Sequence, residues 1–399
     1  MVVLAPVHRT VILGAARTPF GRLLGALAPL SAVDLGAIAA RGAIERAGVP
    51  ADEIGYCVFG TVIQAGQGHI PSRQVSLAAG LREDIGSDTV NKVCASGLRS
   101  IALADALVRL GEYDTVLAGG MESMTNAPHL AQGARKGYRF GDATLTDSMV
   151  WDALRDPWSG RQMFEQASAV GVELGIDRAD LDAWSARSHA RAIAAIDSGR
   201  FAEEIVPVVI SGRRGDTVVD TDEGPRRDTS LEALAALKPL VPGGSHTAGN
   251  SPGVNDGAAA VVVASEAEAQ RRGLKPLAII RATGCTADRH DRLARVPALA
   301  TQLALEKAGL TVADVDRLEI NEAFASVAFN STRMLGISDD RVNVNGGAVA
   351  LGHPVGASGA RLIVTLIHEL RRNGGGIGCA AICSGGGQGD AMIIEVPAA

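Results

Sequence analysis

Aromatic side chains are scarce in this 399-residue sequence, at 3% of residues, and its five cysteines include no CxxC pair. The odd number and scattered positions of the cysteines argue against a disulfide framework or a zinc site. The net charge is −6 and no long block of lysine or arginine occurs, which argues against a nucleic-acid or anionic-membrane partner. The sequence contains no run of about 18 apolar residues, so it predicts no membrane-spanning helix. Packing and catalysis remain as roles for the thiols.

The amino-terminal segment also lacks the pattern of a leader peptide. Residues 1–18 contain no long apolar region followed by a small-residue cleavage site, so we expect a cytoplasmic protein. Aliphatic and small residues are abundant instead, with 47% hydrophobic residues and 48 glycines. This composition is ordinary for an α/β protein with close backbone packing, and the length favours more than one subdomain.

The sequence repeats itself. The segment AGV at 47–49 and the apolar strand that follows it resemble AGL at 308–310 and its own following strand. Further along, VCASGLR at 93–99 parallels VGASGAR at 355–361. The two pairs of landmarks have the same separation along the chain to within one residue, which predicts a duplicated structural unit.

Short β-rich runs alternate with alanine-rich helical stretches, for example at 98–110 and 360–372, as is typical of βαβ units in largely parallel sheets. We therefore predict an α/β protein with two equivalent halves that pack against each other. The polar region between them, with an amphipathic helix near 176–198, is predicted to form an inserted loop domain. The predicted boundaries are 1–124 plus 249–275 for the amino-terminal half, 125–248 for the loop domain and 276–399 for the carboxy-terminal half.

Cys94 lies between a β-like run and a helix predicted to begin near Ser96, which places its thiol at a helix amino terminus. Backbone N–H groups and the helix dipole there favour a thiolate, although a lone cysteine is more often a buried structural residue. His353 lies three residues before the position that matches Cys94 in the second half. If the halves pack about a pseudo-twofold axis, His353 can serve as the base that a thiol nucleophile needs. The alternative is a surface or hydrogen-bonded core histidine.

Two further positions stand at the ends of predicted strands. Cys383 begins a glycine-rich segment whose backbone amides can approach a carbonyl oxygen and form an oxyanion hole, although such segments also make plain turns. Asn321 and Glu322 follow a strand predicted at 318–320, at the edge where α/β sheets bind ligands. Asn321 is a candidate to orient a water or donate to a carbonyl, and Glu322 is a candidate base. The alternative is that both residues cap a helix.

Taken together, these segments resemble the thiolase family and keep the family's order. The matching segments are NKVCASG at 91–97, GGMESM at 119–124, TAGN at 247–250, NEAFA at 321–325, NVNGGAVALGHPVGASGAR at 343–361 and CSGGGQG at 383–389. The resemblance covers most of the chain. It implies a layered αβαβα thiolase fold, with two duplicated βαβαβ-type halves and a loop domain, assembled as a homodimer or homotetramer.

The resemblance implies a role for each candidate residue. Cys94 would be the nucleophile that becomes acylated, and His353 would accept its proton. Cys383 would move a proton at Cα of the second acyl-CoA, as the general acid or base. One oxyanion hole would use His353 and a water held by Asn321, and the other would use the backbone N–H groups of Cys94 and Gly385.

The resemblance also implies the ligand contacts. Acyl-CoA would be contacted by Arg226, Ala248, Met163, Ala323 and Phe324. No metal or cofactor is implied, because coenzyme A is itself substrate and product. The chain departs from the family in the loop domain, where many thiolases have His-Met-Gly and this sequence has Gln162-Met163-Phe164. Pro252 also replaces a serine that is often found near the pantetheine of coenzyme A.

The sequence therefore predicts an acetyl-CoA C-acetyltransferase, which condenses two acetyl-CoA reversibly to acetoacetyl-CoA and coenzyme A through an acyl-cysteine. A 3-ketoacyl-CoA thiolase of fatty-acid or sterol side-chain breakdown is the alternative, since it would use the same residues with a wider acyl pocket. A decarboxylating ketoacyl synthase shares the duplicated fold but typically lacks a second catalytic cysteine. A coenzyme A-binding subunit without activity is disfavoured, because all four catalytic positions are filled.

Overall fold

The computed structural model describes residues 8–213 and 215–398. The first seven residues of the segment that lacks a leader pattern lie outside these ranges. Within them, no helix is both long enough and apolar enough to cross a membrane.

Fourteen strands occur in the described residues. They are β1 (Thr10–Arg17), β2 (Gly21–Arg22), β3 (Tyr56–Gly60), β4 (Gly86–Val90), β5 (Thr115–Ser123), β6 (His129–Leu130), β7 (Thr146–Asp147), β8 (Val208–Ile210), β9 (Thr217–Val219), β10 (Asn255–Ser265), β11 (Ala278–Ala287), β12 (Arg317–Ile320), β13 (Gly376–Ser384) and β14 (Gln388–Val396).

Eleven α-helices accompany them in the same part of the chain. They are α1 (Ala32–Ala47), α2 (Pro71–Ala78), α3 (Ser96–Arg109), α4 (Met163–Glu173), α5 (Arg178–Asp197), α6 (Leu231–Ala235), α7 (Glu266–Arg271), α8 (Val296–Ala308), α9 (Ala325–Leu335), α10 (Ala348–Leu351) and α11 (Ser358–Arg372). The helices predicted near residues 98–110, 176–198 and 360–372 correspond to α3, α5 and α11.

Ten strands form one large sheet in the order β12-β13-β14-β11-β1-β10-β5-β3-β4, with β2 paired to β10. Parallel pairing is confined to β3 with β4, β3 with β5, and β12 with β13. All other neighbours in this sheet run antiparallel. The expectation of largely parallel sheets is therefore wrong. The long β10 enters beside β5 in the opposite direction, and β13 and β14 form a tight hairpin.

The sheet and its helices stack in five layers, because the strands β12-β13-β14-β11 form one sheet layer and the strands β1-β10-β5-β3-β4 form the other. Helix α1 packs on the outer side of β1 and β10, and α8 packs on the outer side of β11 and β14. Helices α3 and α11 contact each other and also contact strands of both halves, so they form the middle layer. Separate buried clusters of Ala, Val, Leu and Ile fill the spaces between the layers. This arrangement is the predicted α/β fold of two duplicated halves.

The duplicated segments occupy equivalent positions in the two halves. Helices α1 and α8 both end at a left-handed glycine, Gly48 with φ 65° and Gly309 with φ 67°. A short 3₁₀ turn and a strand, β3 or β12, follow each glycine. Glycine is favoured at such a helix end because a side chain is strained at positive φ.

The segment inserted between β5 and β10 is anchored on the core by a buried ion cluster. The guanidinium of Arg17 on β1 donates to Glu204 at 2.5 Å and to both oxygens of Asp222 at 2.7 and 2.9 Å. Neither Arg17 nor its two partners has an exposed side chain. Removing Arg17 would leave two buried carboxylates without their counter-charge, so the cluster holds this segment against the sheet.

Candidate active site

Cys94 lies in a strained turn between β4 and α3. The preceding residue, Val93, has a left-handed φ of 44°, which is rare for a β-branched side chain and costs about 1–3 kcal/mol. Ser96 holds the turn, because its Oγ accepts from the Lys92 backbone N–H at 2.8 Å and donates to the Val93 carbonyl at 2.6 Å. The surrounding structure thus enforces the conformation that presents the Cys94 thiol.

The amino-terminal ends of α3 and α11 approach each other through glycine. A Cβ atom at Gly97 would lie 2.8 Å from the backbone nitrogen of Ala360, and one at Gly359 would lie 2.5 Å from that of Leu98. No larger residue fits without displacing backbone. Since α3 follows Cys94 and α11 follows the loop of His353, this contact brings the nucleophile loop and the histidine loop together.

His353 is held at two points, one on its backbone and one on its ring. Its backbone N–H donates to Asn255 Oδ1 at 2.9 Å, and its ring Nδ1 lies 2.6 Å from Ser358 Oγ. The Ser358 hydroxyl is also 2.9 Å from the Pro354 carbonyl. When Ser358 donates to Pro354, it accepts from a protonated Nδ1, and Nε2 then carries a lone pair. When the hydroxyl turns to donate to Nδ1, Nε2 carries the proton instead.

Burial decides the protonation states of Cys94 and His353. Desolvation raises the pKa of the Cys94 thiol to about 12, despite a favourable backbone N–H, and the nearby Glu122 acts in the same direction. Desolvation, with a contribution from Arg361, lowers the pKa of His353 to about 3. The expected thiolate at the helix terminus is therefore corrected to a neutral thiol, and the imidazole of His353 is neutral as well. The cost of removing charge from water exceeds the benefit of the helix terminus.

Cys383 lies at the end of the β13–β14 hairpin. It pairs with Gly389 across the hairpin, and the turn uses Gly386 and Gly387 at φ 77° and 65°. Burial raises the pKa of the Cys383 thiol well above its ordinary value, and the neighbouring Cys94 raises it further. The two thiols are therefore close enough to influence each other. Gly385 packs against Val93, since a Cβ at this position would lie 3.3 Å from the valine side chain.

Asn321 directly follows β12 and is fully buried. Its backbone N–H donates to the Ala381 carbonyl at 2.9 Å, which fixes it beside β13. Neither its side-chain nitrogen nor its oxygen has a hydrogen-bond partner among the described residues. Leaving a buried polar group unpaired costs about 1–3 kcal/mol, so this amide is available to a water or a substrate oxygen.

Glu322, the candidate base, is instead a structural acceptor. Its carboxylate accepts from Trp184 Nε1 at 2.8 Å, Ser188 Oγ at 2.8 Å, Asn343 Nδ2 at 2.9 Å and the Val349 backbone N–H at 2.9 Å. The helix-cap alternative is also wrong, because α9 begins at Ala325 with Phe324 at its N-cap. A role as a base is contradicted, since the carboxylate oxygens of Glu322 already accept hydrogen bonds from these four donors.

One cavity of about 440 Å³ joins the predicted site residues. Its lining includes Cys94, His353, Cys383 and Gly385, together with the predicted ligand contacts Arg226, Ala248, Met163, Ala323 and Phe324. Asn321 is not part of the lining, although its neighbours at 323 and 324 are. Arg226, exposed at the surface, is the one charged side chain of an otherwise mainly apolar wall. The cavity therefore suits an uncharged chain that ends at the thiols and a negatively charged group outside.

Glu122 was not assigned a role from the sequence, although it lies in the GGMESM segment. It is fully buried and accepts from Thr61 Oγ1 at 3.1 Å and from the backbone N–H groups of Val62, Ile63 and Gly356 at 2.9, 3.2 and 3.0 Å. It thereby ties a loop of the first half to the loop that follows His353. Burial raises its pKa to about 7. This structural role could be recognised only from the structure, in which Glu122 lies between the two halves.

Metal ligation has no candidate in the part of the chain that the structure describes, where no group of three or more His, Cys, Asp or Glu side chains could hold an ion.

The fold and the cavity define a class of enzyme. Two cysteines and a histidine, contributed by both halves of a duplicated α/β fold, line a mainly apolar cavity suited to acyl transfer through sulfur.

Comparison with known proteins identifies the family. The sequence matches the model of the thiolase N-terminal domain over residues 10–267 and that of the thiolase C-terminal domain over residues 274–396. A probable acetyl-CoA acetyltransferase of Mycolicibacterium smegmatis is 46% identical over 390 residues, which are 96% of this chain and 100% of the relative. An acetyl-CoA acetyltransferase of Syntrophomonas wolfei is 45% identical over 393 residues, 97% of this chain and 99% of the relative.

A solved structure agrees with these matches. The crystal structure of the Bacillus anthracis acetyl-CoA acetyltransferase aligns with a TM-score of 0.96 at 39% identity, over 98% of this chain and 99% of that chain. The chain belongs to the thiolase family and is an acyltransferase.

Proposed function

We propose that this chain is an acetyl-CoA C-acetyltransferase, which condenses two acetyl-CoA to acetoacetyl-CoA and coenzyme A and also catalyses the reverse reaction. The observation that carries the proposal is the joint lining of one cavity by Cys94, His353 and Cys383. Relatives named acetyl-CoA acetyltransferase or probable acetyl-CoA acetyltransferase, 43 to 47% identical over nearly their whole length, support the choice of substrate. A Claisen condensation needs both an activated acyl group and a carbanion, and two cysteines divide these tasks.

In the first half-reaction, Cys94 takes the acyl group. Its Sγ attacks the thioester carbonyl carbon while its proton passes to Nε2 of His353, in the tautomer whose Nδ1–H donates to Ser358. The tetrahedral intermediate collapses, the bond to the coenzyme A sulfur breaks, and His353 returns the proton to that sulfur. Both groups are neutral at rest, so attack and proton transfer are coupled and no stored thiolate is required.

In the second half-reaction, Cys383 handles a proton at Cα. In the synthetic direction the Cys383 thiol first loses its proton to solvent, and the resulting thiolate removes a Cα proton from the second acetyl-CoA. The carbanion attacks the acetyl carbonyl carbon on Cys94, the bond from that carbon to the Cys94 sulfur breaks, and Cys383 gives its proton to the departing sulfur. In the degradative direction its thiol protonates the departing carbanion. Burial favours the thiol form and also makes the thiolate, once formed, a stronger base. Acylation of Cys94 removes the neighbouring group that otherwise competes for the negative charge.

Two sets of donors stabilise the oxyanions in this proposal. The backbone N–H groups of Cys94 and Gly385 serve the tetrahedral intermediate, which the contact between Val93 and Gly385 supports. Nε2 of His353, protonated when Ser358 donates to Nδ1, serves the enolate together with a water held by Asn321. The unpaired buried amide of Asn321 supports this assignment. Donors placed in advance in a cavity without bulk water contribute strongly to transition-state stabilisation.

A homodimer or homotetramer is part of the proposal. Strand β4 lies at the end of the large sheet and pairs only with β3 among the described strands, and an open sheet edge is a common site of self-association. Light scattering coupled to gel filtration measures the oligomer, and a monomer would contradict this part. The cytoplasmic location expected from the sequence is also kept as a proposal, testable by fractionation of cells that express the tagged chain.

Thiolysis of acetoacetyl-CoA by coenzyme A tests the substrate assignment. A six-carbon and a ten-carbon 3-ketoacyl-CoA are assayed beside it, with Cys94→Ala as the blank. We expect the highest kcat/KM with acetoacetyl-CoA and no turnover by the variant. A preference for the ten-carbon substrate would instead assign the chain to the breakdown of longer chains. Turnover by Cys94→Ala would overturn the catalytic assignment.

A further inference from the structure

The end of the cavity next to Cys383 has an apolar wall built by three segments. Leu293 comes from the loop before α8, Phe324 from the residue before α9, and Phe164 from the first turn of α4. All three side chains pack in the same hydrophobic cluster as Cys383. Because the acyl group must lie between the two thiols, this wall bounds the space in which its alkyl end can extend.

Two of these side chains are fixed. Leu293 and Phe324 are 5% and 9% exposed, and both pack in a cluster that includes Val296 and Val327. Phe324 also makes an edge-to-face contact with His246, at 5.5 Å between ring centroids. Buried side chains with such packing do not move aside without loss of stability.

Phe164 is the less buried member of the wall, and its backbone is nevertheless held in place. Gln162 at the N-cap of α4 and Glu165 cap each other, and the Gln162 backbone N–H donates to Glu165 Oε2 at 2.7 Å. The preceding turn is closed by the Asp156 backbone N–H, which donates to the Arg161 carbonyl at 2.8 Å. The benzyl group of Phe164 therefore stands in the cavity wall because of a fixed helix start, where many thiolases have only a glycine.

We infer that Phe164 is a specificity-determining residue, whose ring closes the acyl end of the cavity and restricts this enzyme to short acyl chains. The inference rests on the proposed acetyl-CoA acetyltransferase function and adds the residue that sets its chain length. Replacing the ring by hydrogen or methyl leaves apolar space next to Leu293 and Ala167, both members of the same cluster. A longer alkyl chain can fill that space, and each added methylene that becomes buried improves binding about fourfold.

The test compares substrates on the same protein preparation. The variants are Phe164→Leu, Phe164→Ala and Phe164→Gly, and the measured quantity is kcat/KM for 3-oxohexanoyl-CoA divided by kcat/KM for acetoacetyl-CoA. This ratio is independent of the fraction of folded enzyme, so partial misfolding of a variant does not obscure it. We expect the ratio to rise through the series and to exceed the wild-type ratio by about tenfold or more in Phe164→Gly.

Leu240→Ala is the matched control. Leu240 also lines the cavity, but it is 42% exposed and is not a member of the cluster around Cys383, so its removal should leave the ratio unchanged. An unchanged ratio in all three Phe164 variants, with acetoacetyl-CoA still cleaved, would overturn the inference and leave the proposed function intact. A wild-type enzyme that already prefers the longer substrate would contradict both. A wild-type enzyme that does not cleave acetoacetyl-CoA would reject the proposed function.

Discussion

Replacing Ser358 by alanine removes the only hydrogen-bond partner that the described residues give to Nδ1 of His353. The Nδ1 to Oγ distance is 2.6 Å, and both groups are buried. Leaving a buried ring nitrogen unpaired costs about 1–3 kcal/mol, and the ring also loses the group that selects its tautomer. If this cost falls on the transition state, kcat/KM for acetoacetyl-CoA thiolysis drops about 5- to 150-fold. Ser358 is a positioning residue, so its effect must pass through His353.

The assay therefore needs a readout that a purely structural defect would not change. We expect Ser358→Ala to lower kcat more than it raises KM, and to slow the alkylation of Cys94 by iodoacetamide in parallel. Ser185→Ala is the control, because Ser185 is equally buried but donates only to the Leu181 carbonyl of its own helix, at 2.7 Å. Wild-type kcat/KM and wild-type alkylation in Ser358→Ala would refute the tautomer argument.

Two further predictions concern charge and burial. Without substrate, the rate of Cys94 alkylation should rise steadily from pH 6 to 9, because burial raises the thiol pKa to about 12 and lowers the His353 pKa to about 3. A plateau that starts below pH 6 would reveal a thiolate–imidazolium pair instead. Glu122 has a folded pKa of about 7, above its unfolded value, so its proton-linked stabilisation is present below about pH 4.5 and is lost as pH rises through 7. The unfolding free energy of wild type should therefore fall between pH 5 and 8, and Glu122→Gln should remove up to about 3 kcal/mol of that fall, measured by urea unfolding. An identical pH dependence in the variant would contradict this.

The repeat in the sequence carried most of the information about the fold. Matching landmarks near Gly48 and Gly309, and near Cys94 and Gly356, predicted two equivalent halves and a helix immediately after the nucleophile. These features depend on local composition, turn residues and helix signals, which the sequence contains. Strand direction does not, since it depends on which distant segments pair, and the antiparallel course of β10 and β14 was not predicted.

The active site likewise has features that the local sequence predicts and features that depend on contacts between distant segments. That Cys94 and His353 line one cavity could be expected from strand-to-helix turns related by the repeat, and the resemblance to thiolases added Cys383. The chemical roles of all three residues stay predictions. The protonation of Cys94 could not be predicted, because desolvation depends on the whole surrounding structure. Glu322 was misread for a related reason. A carboxylate after a strand looks like a candidate base until the four donors from other parts of the chain that surround it are known.

In this mechanism Cys94 carries the acyl group, while Cys383 makes or breaks the carbon–carbon bond. The most direct measurement is the intact mass of wild type, Cys94→Ala and Cys383→Ser after incubation with acetyl-CoA, together with acetoacetyl-CoA formation by each. We expect one added acetyl group on wild type and on Cys383→Ser, none on Cys94→Ala, and condensation by wild type alone. An acetyl group on Cys94→Ala, or full condensation activity in Cys383→Ser, would contradict it.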